Sequence, residues 1–179
     1  EEKNIEAMYT ALKVQMKPLK KYDYEIIFAD NASTDGSEAI LRKLAESDCQ
    51  VKVILNNRNF GPTRAGLNMV NRTSGDAVII IPCDFQEPPD MIPVFIEEWE
   101  KGNLVVWGQK KRSSENKIMF AIRTAYYYIY DKISDIKQYK HVTGFGLTDR
   151  KVLEEIKKVQ DIDRGLKSYI LEMGYPIKL

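Results

Sequence analysis

The chain has 179 residues, 44% of them hydrophobic and 30% charged. That is enough to bury one substantial core, and far from the make-up of disordered or collagen-like chains. Its 27 basic and 26 acidic residues cancel to a net charge of +1, which argues against a nucleic-acid partner. Cys49 and Cys83 lack the spacing of a zinc site or a disulfide framework, and one histidine, His141, leaves little room for His-rich metal chemistry or a serine triad.

In chain order, Ile5, Met8, Leu12 and Met16 predict a helix over residues 4–17 with one face inward. Glu25-Ile26-Ile27-Phe28-Ala29 reads as a short strand and Asp30 to Ser37 as a turn, whose Ser33 or Thr34 can cap a helix over 36–47. Val51 to Leu55 is a second strand, followed by the loop Asn56 to Gly61 and a third helix over 62–73. Ala77 to Ile81 is a continuous apolar run, the pattern of a strand covered on both faces. Pro88-Pro89 opens a helix over 90–101, and Leu104 to Trp107 is a further strand. Strands alternating with helices predict a parallel α/β sheet with right-handed crossovers and one domain over 1–179.

The second half differs. Residues 116–134 predict a helix rich in tyrosine (Tyr126, Tyr127, Tyr128, Tyr130), preceded by the basic run Lys110-Lys111-Arg112. Its apolar residues read as core, while the tyrosines that cannot face inward suit a membrane interface beside Lys and Arg. Thr143-Gly144-Phe145-Gly146 reads as a pause before a charged helix over 149–159. The longest apolar stretch, Ala77 to Ile81, is far short of the roughly 20 residues that span a bilayer, so the chain as given is expected to be soluble.

In an open parallel sheet, ligands bind beyond the carboxyl ends of the strands. Two polar clusters fall there: Asp30-Asn31 and Asp84-Phe85-Gln86-Glu87. In extended chain Asp84 and Gln86 point the same way, and such an oxygen pair suits Mg²⁺ or Mn²⁺ with a ligand's phosphates completing the shell. The alternative is a solvated turn that caps the next helix.

Residues Phe28 to Ser37 resemble the nucleotide-binding turn of family 2 glycosyltransferases of the GT-A fold. Asn57-Arg58-Asn59-Phe60-Gly61, Ser74-Gly75-Asp76 and Asp84 to Pro89 follow in the order and spacing of the polyprenyl-phosphate sugar transferase branch. Thr143 to Arg150 and Arg164-Gly165-Leu166 are similar to later motifs of that branch. The resemblance implies a Rossmann-like, mostly parallel sheet flanked by helices, a nucleotide-sugar donor, a polyprenyl phosphate acceptor and inversion at the sugar. Carried across, Asp30, Asn31, Asp35 and Arg58 would contact the nucleotide, and Asp84 with Gln86 would hold the metal. Arg164 would meet a phosphate, its other reading being a surface pair with Asp161 or Asp163. Asp84 and Arg164 are the residues assigned to catalysis.

Three departures from that pattern stand out. Pro82 replaces an Asp two positions before Asp84, and Gly144 replaces an acid that has been a candidate base in relatives. If a base is needed, Glu87, Asp149 or His141 would have to serve, although His141 reads better as structural. The chain also opens on what looks like the tail of a missing first strand and stops short of a C-terminal region, so a fragment is expected. The longer protein would sit at the cytoplasmic face of a membrane. The rival reading is a non-catalytic sugar-nucleotide-binding module of the same fold, with a dehydrogenase a more distant third.

Overall fold

A computed structural model describes residues 2–109, 139, 142–159 and 165–179. Helix α1 (Glu2–Met16) buries Ile5 and Met8 and leads to strand β1 (Ile26–Asp30). Helix α2 (Ser37–Ser47) crosses over to β2 (Val51–Leu55), which pairs with β1 in parallel from Ile26↔Val51 to Asp30↔Leu55. The helix is seated by Asp35 rather than by Ser33 or Thr34, because Asp35 Oδ1 accepts the Ser37 N–H at 3.1 Å. Helix α3 (Gly61–Asn71) then leads to β3 (Ala77–Ile80). A 3₁₀ turn at Pro89–Met91 runs into α4 (Ile92–Glu100), and β4 (Val105–Gln109) follows. The last described elements are β5 (Val142–Asp149), α5 (Arg150–Lys157), α6 (Leu166–Glu172) and β6 (Ile177–Lys178).

The described strands form two sheets rather than one parallel sheet. Beside the parallel β1-β2 pair stands a mixed sheet of order β3-β5-β4-β6, with β5 antiparallel to both neighbours and β6 parallel to β4. The predicted pause at Thr143 to Gly146 lies within β5, and its glycines conceal the strand. A Cβ at Gly146 would stand 2.0 Å from the Val106 carbonyl oxygen, so only glycine lets β5 close on β4. Along β4 successive side chains go to opposite faces. Val105 and Trp107 pack with Val152, Leu153 and Ile170 of α5 and α6. Val106 packs on the other face with Phe95 and Ile96 of α4 and Phe145 and Leu147 of β5.

Strands β1 and β3 do not pair, although their amino ends are tied together. Glu25 Oε1 accepts the Ser74 N–H at 2.6 Å and the Ser74 hydroxyl at 3.0 Å. Between the strands runs an apolar slot of about 250 Å³, lined by Ile26, Ile27 and residues 77–81. The β3 residues are consequently half-buried rather than covered on both faces. Among the described residues, no strand pairs with the edges of β1 and β3 that face this slot.

Candidate active site

Asp30 ends β1 and is buried, with its Oδ2 accepting the Ser33 N–H at 3.0 Å; its backbone carbonyl accepts the Asn56 N–H at 3.0 Å. The turn pivots on Ala32, a non-glycine residue at φ 63°. Asn31 joins this turn to the loop after β2. Its Oδ1 accepts from Asn56 Nδ2 at 3.2 Å and from the Phe60 N–H at 3.0 Å, while its Nδ2 donates to Asn59 Oδ1 at 2.8 Å. Asn59 Oδ1 also accepts the Gly61 N–H at 2.8 Å, at the start of α3. The asparagines thus cross-brace two loops, and Asn31 spends its amide on that frame. In the same loop the exposed Arg58 places its guanidinium over the Phe60 ring, 4.4 Å from its centroid, in a cation–π contact.

Asp35 is exposed, and its oxygens accept the N–H groups of Ser37 and Glu2. The Ser37 side chain and N–H hold its carboxyl well below the usual carboxylate range. It serves as an anchor for the starts of α1 and α2.

Asp84 lies four residues past Ile80, the end of β3, in a turn rather than in extended chain. Phe85 adopts φ 58° and is exposed, and Asp84 Oδ1 accepts the Gln86 N–H at 3.0 Å. The alternation expected to align Asp84 with Gln86 therefore does not apply; what joins the two residues is the Gln86 backbone N–H, not its side chain. Asp84 is half-buried, Gln86 exposed and Glu87 buried. No group of three His, Cys, Asp or Glu side chains suited to a metal exists among the described residues. One carboxylate and one amide oxygen fit a hard cation only as part of a shell that phosphate oxygens complete. Asp30 closes β1 and Asp84 follows the carboxyl end of β3, while the amino ends of these two strands meet at Glu25 and Ser74.

Asp149 stands elsewhere. It pairs with Ala77 at the amino end of β3, accepts Trp99 Nε1–H at 2.7 Å and caps α5 through the Lys151 N–H at 2.8 Å. Its carboxylate is occupied and at the wrong end of the sheet for a base. Arg164, His141, the Lys110–Arg112 run and the 116–134 segment lie outside the described residues. A group that sequence reasoning missed is Lys167, whose Nζ donates to the Val142 carbonyl at 2.5 Å above the start of β5. The available signal was a lysine between Leu166 and the buried Tyr169 and Ile170.

Polar turns gathered beyond the carboxyl ends of strands are the ligand-binding build of α/β domains, and the particular arrangement is that of a GT-A glycosyltransferase. The chain superposes, over 94% of its length and 50% of the other chain, on a mannosyltransferase, PcManGT from Pyrobaculum calidifontis, solved with GDP-Man and Mn²⁺ (TM-score 0.54, 18% identity). Its residues 1–157 match glycosyl transferase family 2, and the chain belongs to that family. It is 33% identical over 175 residues to the bactoprenol glucosyl transferase of Shigella phage SfX. It is 32% identical over 175 residues to a prophage bactoprenol glucosyl transferase homolog of Escherichia coli (strain K12). Each match covers 97% of this chain and 57% of the relative, so the chain spans little more than half the length of these proteins.

Proposed function

We propose that this chain is the catalytic domain of an inverting glycosyltransferase that moves a sugar from a nucleotide-sugar donor to a polyprenyl phosphate. The observation that carries the reading is the pair of polar turns, Asp30-Asn31 and Asp84-Phe85-Gln86, each beyond the carboxyl end of a strand in a family 2 chain similar to bactoprenol glucosyl transferases. Asp30, with the Asn31-braced loop and Arg58, forms the nucleotide side. Asp84 and Gln86 would hold Mg²⁺ or Mn²⁺, which when bound offsets charge on the donor's diphosphate.

An acceptor phosphate oxygen forms the new bond to the anomeric carbon while the bond to the nucleoside diphosphate breaks on the opposite face, inverting the centre. A phosphate acceptor is already anionic near neutral pH, so it brings no proton that a base must take. This suits a site with glycine at 144 and with Asp149 committed elsewhere. Arg164 supplies a guanidinium fork for phosphate oxygens. The tyrosine-rich 116–134 segment and Lys110-Lys111-Arg112 would meet an anionic membrane surface, at the cytoplasmic face where nucleotide sugars are available. No helix among the described residues is long and apolar enough to cross a membrane.

The test is full-length protein with a panel of sugar nucleotides, Mn²⁺ and undecaprenyl phosphate. Formation of an inverted glycosyl phospholipid is the expected result. Transfer to a water-soluble saccharide alone would overturn the acceptor assignment. Donor binding without turnover would favour a non-catalytic sugar-nucleotide-binding module, the reading that Pro82 and Gly144 support.

A further inference from the structure

Resting on that transferase reading, we propose that Lys167 is a phosphate-binding residue of the site, its ammonium taking an oxygen of a reactant phosphate. The placement comes from β5. Gly146 pairs with Ile80 at the carboxyl end of β3, and Val142 with Gln109 at the carboxyl end of β4. The first residues of β5 therefore project from the same end of the sheet as Asp84. Lys167, in the first turn of α6, lays its stem across this segment and reaches the Val142 carbonyl.

Gly144 makes room for it. The backbone there has φ +93°, and a Cβ would stand 3.3 Å from Lys167 Cδ and 3.4 Å from its Cβ. A carboxylate at 144 would crowd the stem and neutralise the ammonium, whereas glycine does neither. Among the described residues no carboxylate pairs with Lys167, and its hydrogen-bond partner is a neutral carbonyl. A half-buried cation without a counter-ion is costly unless an anion visits it. Burial accordingly lowers the affinity of this amine for its proton. One of its three N–H donors is spent on Val142, and two remain for phosphate oxygens.

The phosphate is either the donor's diphosphate or the acceptor's monophosphate, and two arms of one experiment separate them. In full-length enzyme, Lys167→Met keeps the stem and removes the charge, and its thermal unfolding reports whether the fold survives. If the acceptor phosphate is the ligand, KM for undecaprenyl phosphate rises roughly ten- to hundredfold with kcat little changed, and Lys167→Arg restores most of the loss. If the donor diphosphate is the ligand, the same rise falls on the nucleotide's Kd instead. Independently of turnover, acylation of Lys167 by an amine-reactive ester, followed by mass spectrometry, should slow when inorganic phosphate or pyrophosphate is added. Unchanged KM and Kd in Lys167→Met, with no protection by either anion, would overturn the proposal and leave the transferase reading standing. A wild-type enzyme that transfers no sugar would instead sink the transferase reading, and protection alone would then decide the role of Lys167.

Discussion

At the scale of single residues, the site separates groups that build it from groups left available for a ligand. Asn31 and Asp35 belong to the first kind, since their polar atoms hold loops and helix starts. Asp84 does both, with one oxygen on the Gln86 N–H and a half-buried carboxylate charge. Asp84→Asn keeps an Oδ1 acceptor for the turn but removes the charge. The expected outcome is a loss of at least about tenfold in Mn²⁺-dependent nucleotide affinity, read by calorimetry, with the melting temperature preserved. Equal affinity in the Asn variant would remove Asp84 from the metal site. The positions of Asp30, Asn31, Asp84 and the loop at 56–61 beyond strands could be read from sequence, because each follows an apolar run. Lys167 was marked in sequence only by its place between Leu166 and the buried Tyr169 and Ile170, because its neighbour Gly144 is far away along the chain and the Val142 carbonyl leaves no trace there.

Among the elements, β5 shows where pattern reading stops. Its glycines break the alternation of apolar residues that marks a strand, yet Phe145, Leu147 and Thr148 are all buried. What makes Gly146 necessary is the backbone of β4 across from it, a partner that local pattern cannot reveal. Gly146→Ala should therefore destabilise the fold by about 1–3 kcal/mol or more, since the Cβ meets backbone rather than a flexible side chain. Urea unfolding measures this; a midpoint within error of wild type would show that β5 can draw back from β4 at no cost. The helices α1 to α4 and strands β1 to β4 were all anticipated, with ends shifted by a residue or two. Their periodicities are local, and Gly and Pro punctuate them. The direction of β5 was not anticipated, because strand direction depends on the path between β4 and β5 rather than on either strand.

For the whole molecule, stability in acid should turn on how α1 is fastened to the end of α2. Asp48 accepts from Tyr9 Oη and from Lys13 Nζ, both at 2.8 Å. The Lys13 ammonium beside it, with the Gln50 N–H, brings the Asp48 carboxyl down from 3.8 to about 2. A depressed carboxylate stabilises the fold fully above its unfolded value, and the contribution disappears as pH falls through the folded value. Wild type should thus lose stability between about pH 4 and pH 2 more steeply than Asp48→Asn, as urea midpoints across that range will show; parallel curves would refute the assignment. The strand order carries a consequence for the nascent chain. β3 and β4 are made early and do not pair with each other, because the strand that lies between them begins only at Val142. At roughly 5–20 residues per second, several seconds pass on the ribosome with both apolar strands awaiting a partner. In that interval the growing polypeptide offers exposed edges to chaperones and to its neighbours on the polysome. A chain released before Val142 has nothing to bridge them, so premature termination should yield aggregate rather than a smaller fold.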